Sequence, residues 1–523
     1  MPELTPDRPA PTASQASYGQ ILRSSSIIGG AAGINLLLGM VRMKFAAVLI
    51  GTAGVGLVGV YQSLQAVAGT LAGLGIQQSA VRDIAAAVGR DDALAIGRTV
   101  VALRRMCWLT GVLGALALVA LASPLSRYTF GTDSYALDIA LLAPTIFLTR
   151  IQGGQAAILQ GMRRIGDLAR LTLIGAAGGS LGAVLFYAWL GLRGIIPALL
   201  FMAVVQGVAT WLYARRLVIP PIRMPWRETL GNAHGMLRLG LAFMGSGVLA
   251  AAVAYLTRAW ITQQQDLMAV GLFTAAFSLS GMFINFILGA MGADYFPRLT
   301  AVAHDKEAMR RLVNEQTEIG LLLAIPGLLA TLTLAPWLIR GFFSTEFLPA
   351  AGLLQWFILG CLGQVIAWPL GYIMLALARS RWFLATETSF HLLHLGMIWI
   401  ALAFIGLEGV AMAFFVLYLL YAIVLYALAW RLIGFTWSPA TRRLLTLFLP
   451  LVALAFLCGR FLPLAQATAV GMLLTAAAAL FCLRALAQRV GQEHWAVKKS
   501  LRIPGLRRLC GFQPRYSDGG KPE

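Results

Sequence analysis

The chain has 523 residues, 59% of them hydrophobic and only 12% charged, with a formal net charge of +20. A soluble protein carries about a quarter charged residues, and apolar windows of ~20 residues, each able to cross a hydrocarbon core of ~30 Å, recur from end to end. These values exclude a soluble globular enzyme and define an all-α, polytopic membrane protein.

Residues 1–20 are polar and proline-rich, with no charged segment leading straight into a short apolar core. This argues against a cleaved signal peptide and for a cytoplasmic tail before the first helix. About fourteen transmembrane helices are then predicted, at 21–49, 57–78, 104–123, 138–159, 170–190, 194–214, 238–262, 268–291, 315–338, 352–375, 383–404, 409–430, 443–461 and 466–485. With the N-terminus inside, only Arg127, Arg193, Arg340 and Arg460 fall on external loops, and Arg42, Lys44, Arg150 and Arg258 fall within the membrane. The rest of the 41 lysines and arginines lie on the cytoplasmic side, the bias that orients membrane helices. The basicity is therefore topology and excludes nucleic acid as the partner. Both termini are expected in the cytoplasm, and the longest external loop, 123–137, is too short for an outer domain.

Two pairs of stretches echo one another at one offset. Val55–Leu64 resembles Val270–Leu279, and Gly191–Ile195 resembles Gly406–Val410, each displaced by 215 residues. A shared offset implies two six-helix halves in parallel orientation. The expected organisation is an N-lobe at 21–214, a cytoplasmic linker at 215–237, a C-lobe at 238–431, two further helices at 442–485, and a basic tail at 486–523 positioned to touch anionic lipid.

Some patterns carry no function. Gly54-x-Gly56-x-x-Gly59 has the spacing of a dinucleotide fingerprint but opens a membrane helix, without the strand and βαβ unit that the fingerprint requires. Small residues four apart, such as Gly29/Gly33, Gly69/Gly73 and Gly179/Ala183, read as helix packing. The five cysteines show no metal or redox spacing, and no cofactor or metal is expected.

The intramembrane cations carry more. At the 215-residue offset Arg258 falls opposite Met43, between Arg42 and Lys44, so the first helix of each half bears cationic charge at one depth. Two readings stand: long stems lifting the charge to the interface, or a shared cationic cavity. The matched depth, together with Arg150 near mid-membrane, favours the cavity, and such a cavity suits a phosphate or pyrophosphate. In the eleventh predicted helix Glu387, His391 and His394 sit at i, i+4 and i+7, hence on one face. They are candidates for proton or sodium coupling; a polar seam between helices, a metal site lacking a further ligand, or pairing of Glu387 with an arginine are the alternatives. Asp294 is placed to pair with Arg298.

Ile50–Ile76, Gly292–Arg311 and Phe347–Glu387 resemble the Wzx-type polysaccharide flippases of O-antigen and enterobacterial common antigen biosynthesis. These belong to the multidrug/oligosaccharidyl-lipid/polysaccharide exporter superfamily. The resemblance covers the first twelve helices and implies two six-helix lobes in a V around a cationic cavity. It also implies an inner-membrane protein that carries an undecaprenyl-pyrophosphate-linked oligosaccharide across by alternating access, without being an enzyme. The implied partners are that glycan, membrane lipid, a polysaccharide polymerase and a chain-length regulator. Lys44, Arg258 and Glu387 match positions where the family carries charge; Arg42 and Arg150 rest on the residue argument alone. The two extra C-terminal helices depart from the twelve-helix pattern and resemble the lipid II flippase, which keeps lipid II as an alternative substrate. A multidrug extruder is a further alternative, disfavoured because several cations would repel cationic drugs. A membrane glycosyltransferase or polymerase is disfavoured by the short external loops.

Overall fold

The computed structural model describes residues 13–490; of the expected basic tail at 486–523 only 486–490 are described, as the end of the last helix, and residues 491–523 and most of the N-terminal tail lie outside the described residues. Every regular element among the described residues is a helix. In chain order they are α1 (Ala13–Gly73), α2 (Ile76–Val88), α3 (Ala93–Ala120), α4 (Ala122–Phe130), α5 (Ala136–Leu141), α6 (Ala143–Gly161), α7 (Ile165–Leu190), α8 (Ile195–Ala214) and α9 (Trp226–Gln264). They continue with α10 (Leu267–Ala301), α11 (Lys306–Thr333), α12 (Ala335–Phe342), α13 (Ala350–Ala376), α14 (Ser380–Phe404), α15 (Leu407–Ile433), α16 (Pro439–Phe461) and α17 (Leu464–Val490).

Twelve stretches, not fourteen, meet the length and apolarity of a membrane span among the described residues. The difference lies in Gly33–Gly73 and Ile165–Ala214, of 41 and 50 residues, each about twice the ~20 residues that one crossing needs. Both are interrupted. In α1 the helix breaks at Gly51, whose backbone (φ 66, ψ −170) is open only to glycine. Between α7 and α8 a 3-10 turn, Gly191–Gly194, intervenes.

The chain divides into two compact units, one ending at Ala259 and the other beginning at Trp260, so the division falls inside α9. In the first unit α1 packs on α7, α7 on α8 and α3 on α6. The short α2 buries Ile76, Ala80, Ile84 and Ala87 along one stripe against α3 and α6. The linker joins the same cluster through Met224, Ala233 and Met236. Arg105 secures it, donating to the Met224 carbonyl and to Thr229 Oγ1, both at 2.7 Å, with its guanidinium over the Trp226 ring. The loop after α4 is tied by Asp133, which accepts from Ser123 Oγ at 2.6 Å and pairs with Arg127. Those hydrogen bonds hold the Asp133 carboxyl below its usual range, Arg127 being the larger cause.

In the second unit α13 packs against α15, α10 and α11, and α14 against α15. The extra helices α16 and α17 both dock on α11. There Glu318 accepts from Ser438 Oγ (2.7 Å) and Thr441 Oγ1 (3.0 Å) at the start of α16 and from Arg489 Nε (3.2 Å) in α17.

The sequence echo recurs in the backbone. Gly191, ending α7, has φ 56 and ψ −130; Gly406, preceding α15, has φ 81 and ψ −151. The break at Gly51 likewise corresponds, 215 residues on, to extended Asp266 (φ −163, ψ −179), which caps α10 by accepting from Ala269 N at 2.7 Å. One glycine turn thus repeats at the offset read from the side chains, and one helix break recurs there in position though not in φ.

Gly75, between α1 and α2, combines a left-handed backbone (φ 64) with a close approach: a Cβ there would stand 2.0 Å from the Gly240 carbonyl oxygen. Gly131 shares the left-handed backbone (φ 73) but faces open space. The backbone conformation alone costs an L-residue about 1–2 kcal/mol. Gly131→Ala should therefore lower the thermal midpoint of the detergent-solubilised protein slightly, and Gly75→Ala much more. Equal shifts would show that the contact with Gly240 contributes nothing.

Candidate functional site

A cavity of about 450 Å³ lies within the first unit, walled by α1, α6, α7 and α8. Its polar lining consists of Arg150, four glutamines (Gln62, Gln65, Gln152, Gln206) and three threonines (Thr70, Thr145, Thr149); among the described residues no carboxylate lines it. Gln65 Nε2 donates to Thr145 Oγ1 at 2.7 Å, and Thr145 passes its own proton to the Leu142 carbonyl at 2.6 Å.

Arg150 extends from α6 toward α1. A Cβ at Gly73 would stand 2.3 Å from its Nη1, and one at Gly69 would stand 3.5 Å from its Nη2. The guanidinium thus lies in a place that the absent Cβ of Gly73 leaves open, with Gly69 in ordinary contact range beside it. Its Nε is buried with no hydrogen-bond partner. The Gly69/Gly73 pair, expected to serve helix packing, seats an arginine instead. Gly179 does serve packing: a Cβ there would lie 2.9 Å from Met202 Cγ, across the α7–α8 contact.

The other cations are placed differently. Arg42 in α1 reaches Met202, a wall residue of the same cavity, with Nη1 at 3.8 Å from Sδ. Lys44 is half-buried one residue beyond Met43 and is not among the lining residues of this cavity. Arg258 in α9 turns back along its own helix, Nη1 donating to the Ala254 carbonyl at 2.8 Å, and does not line this cavity. Of the four cations only Arg150 lines this cavity; Arg42 touches its wall residue Met202 without lining it.

The glutamines and threonines carry no charge, so a search for charge in apolar spans passes them by. A search for amides in such spans would find Gln62, Gln65 and Gln206, since an unsatisfied amide in hydrocarbon costs several kcal/mol.

In the second unit the face of α14 bearing Glu387, His391 and His394 turns toward α15. Tyr421 donates its hydroxyl proton to Glu387 Oε1. His391 Nε2 stands 3.8 Å from Glu387 Oε2, and the His394 ring lies 6.1 Å from that of Phe414. Among the described residues no group of three His, Cys, Asp or Glu is placed to hold a metal ion. Asp294 pairs with Arg298 at 3.2 Å, both exposed.

Long apolar helices in two units, one of them holding an open cavity with a cationic and amide lining, describe a multi-pass membrane protein. Residues 21–302, more than half of the chain, match the polysaccharide biosynthesis protein family, and the chain belongs to that family. It is 28% identical over 404 residues to the lipid III flippases of Escherichia coli (strain K12) and Shigella flexneri, covering 74% of this chain and 92% of each relative. Among solved structures, an inward-facing multidrug resistance MATE family transporter of the MOP superfamily superposes with a TM-score of 0.67 at 16% identity, over 78% of this chain and 96% of that one. The lipid II flippase MurJ, in an inward closed conformation, superposes with a TM-score of 0.65 at 13% identity, over 90% and 99%. The family is therefore that of polysaccharide biosynthesis proteins, and the fold is the one these two solved transporters share.

Gly73→Ala tests the space left for Arg150. The intruded atom is the free end of a long side chain, so Arg150 can swing away while the helices stay in place. The expected result is an unchanged thermal midpoint with transport reduced about as far as in Arg150→Ala. Normal transport by Gly73→Ala would show that the seat of the guanidinium is immaterial.

Proposed function

We propose that this chain is a flippase that moves an undecaprenyl-pyrophosphate-linked oligosaccharide from the inner to the outer leaflet of the bacterial inner membrane by alternating access, for O-antigen or exopolysaccharide assembly. The observation that carries the reading is the cavity of the first unit. Its half-buried guanidinium stands beside amide and hydroxyl side chains, and among the described residues no carboxylate competes for the charge. Such a cavity takes an anion and repels the cations typical of multidrug substrates. The lipid III flippases supply independent support, since the likeness runs over 92% of their length.

In this reading Arg150 and Arg42 hold the pyrophosphate, with Lys44 and Arg258 as further cationic contacts along its route. The isoprenoid tail stays in lipid. Each of the two doubled stretches, Gly33–Gly73 and Ile165–Ala214, crosses the membrane twice, giving fourteen crossings with both termini in the cytoplasm. No covalent bond of the substrate changes, so the protein is a transporter and not an enzyme; a polymerase and a chain-length regulator act on its product. Glu387, with Tyr421, His391 and His394, couples movement to a proton or sodium gradient. Lipid II is the second substrate reading. It is favoured by the likeness to the lipid II flippase over 90% of this chain, against 78% for the multidrug transporter.

A charge-assisted hydrogen bond contributes about 1.5–3 kcal/mol, and 1.4 kcal/mol is tenfold. In a host lacking its own flippase, Arg150→Ala and Arg258→Ala should each cut glycan export at least about tenfold at equal expression, with lysine partly restoring it. Undiminished export by both alanine variants would overturn the pyrophosphate reading, and rescue of a lipid II-deficient host alone would select the second substrate.

Coupling is tested apart from binding. In proteoliposomes an imposed proton or sodium gradient should accelerate lipid movement by the unmodified protein and leave Glu387→Gln at its slow, gradient-independent rate. A full response by Glu387→Gln would remove this cluster from coupling.

A further inference from the structure

The α7–α8 hairpin ends in arginines that neither the cavity nor the coupling residues use. Its 3-10 turn, Gly191–Gly194, marks one face of the membrane. Counting the ~20 residues of one crossing away from that turn reaches Leu171 on α7 and Ala214 on α8. Arg170 adjoins the first, and Arg215 and Arg216 follow the second, so both helices deliver arginine at one depth. The two ends also touch: Leu171 and Ala209 share a buried cluster against which Leu168 and Tyr213 pack.

Positive charge on one side of a membrane protein orients its helices and by itself needs no ligand. Here the guanidinium groups are also held in place. Arg215 lies over the Trp211 ring at 4.8 Å, and Arg216 over the Tyr213 ring at 4.9 Å. Stacking occupies the flat face of a guanidinium and leaves the N–H groups along its edge free to donate. The charge is not offset either. Asp167 is the only carboxylate between Met162 and Arg216, and it pairs with Arg164 and Arg170. Arg215 and Arg216 have no ion pair among the described residues.

The surface leading to these arginines is apolar and exposed. On α8, Val204, Val208 and Trp211 are exposed at i, i+4 and i+7, and Arg215 comes next on the same face. On α7, Leu185, Leu181 and Ile174 form a matching stripe that ends at Arg170.

That pattern decides between ligands. Free phosphate would use the arginines and ignore the stripes. An acidic protein arriving from water would leave Val204 and Val208, which lie within the span, untouched. An anionic phospholipid meets both features. Its phosphate accepts from guanidinium N–H groups at the end of each stripe, while its acyl chains lie along the apolar residues. Trp211, between the two, has the place of an interfacial aromatic. Two stripes that end together suit a lipid with two chains.

We propose that the linker-side end of the α7–α8 hairpin binds an anionic phospholipid, with Arg170, Arg215 and Arg216 on the headgroup phosphate and the acyl chains along the two stripes. This goes beyond the flippase reading, from which it takes only the orientation that sets these arginines at the cytoplasmic leaflet. The same two helices wall the first-unit cavity, where a Cβ at Gly175 would stand 1.2 Å from Gln206 Oε1. A bound lipid therefore fixes the ends of that wall.

The test titrates phosphatidylglycerol or phosphatidylcholine into the purified full chain in detergent and reads bound lipid by native mass spectrometry. A basic residue near an anionic surface contributes about 1 kcal/mol, so the unmodified protein should favour phosphatidylglycerol at least about tenfold. Combining Arg170→Gln, Arg215→Gln and Arg216→Gln should bring that ratio to about one. Arg215→Lys with Arg216→Lys keeps the charge but loses the planar stack; it should retain only part of the preference, which keeps the test open should the triple variant fail to fold. Arg193→Gln, at the opposite end of the same hairpin, should change nothing. Equal binding of the two lipids by the unmodified protein, or an equal loss in Arg193→Gln, overturns the site. A preference that survives the triple variant overturns it as well, and leaves an acidic protein as the partner of these arginines. No glycan-bearing lipid enters the assay, so each outcome leaves the flippase reading where it stood.

Discussion

A peptide group in hydrocarbon has no water to bond, so each backbone N–H and C=O must find its partner within its own helix. That constraint makes every regular element of the described chain helical and confines irregular backbone to a few places. Gly51, Asp266, Gly191 and Gly406 mark four of them. The same constraint governs side chains. An amide or guanidinium within a span persists only where other helices wall it off from lipid, so polar residues gather in cavities or fold back on their own backbone.

Arg150 and Arg258 illustrate the two solutions. Arg258 satisfies one nitrogen locally, on the carbonyl four residues earlier. Arg150 instead crosses from α6 to α1 and lies on Gly69 and Gly73, its Nε buried and unpaired. Arg150 lines the first unit's cavity and Arg258 does not, and a cationic donor in such a wall is the condition for gripping an anionic ligand.

Both units handle most of their carboxylates by pairing them. In the first, Asp138 accepts from Tyr61 and Asp133 pairs with Arg127. In the second, Glu387 accepts from Tyr421, Glu408 pairs with Arg460 at 2.7 Å, and Glu318 ties α11 to both C-terminal helices. The cavity around Arg150 stands apart because no carboxylate lines it among the described residues.

The sequence by itself determined the membrane class, the family, the positions of the long helices and the internal repeat, because hydropathy over ~20 residues and a fixed offset are local or one-dimensional signals. The i, i+4, i+7 spacing also placed Glu387, His391 and His394 on one face, and the structure turns that face to α15. What only the tertiary structure decided is which polar residues share a space. Gly69 and Gly73 read as packing until α6 brings Arg150 onto them, and Gln206 acquires a place only because Gly175 of the neighbouring helix yields it. Arg42, Lys44 and Arg258 share charge and depth along the sequence, yet of the four cations only Arg150 lines the cavity. Charge and spacing along one helix fix a residue's depth and face, whereas shared occupancy of a cavity depends on the rotation and approach of separate helices. Those are set by close contacts at glycines that no one-dimensional pattern encodes.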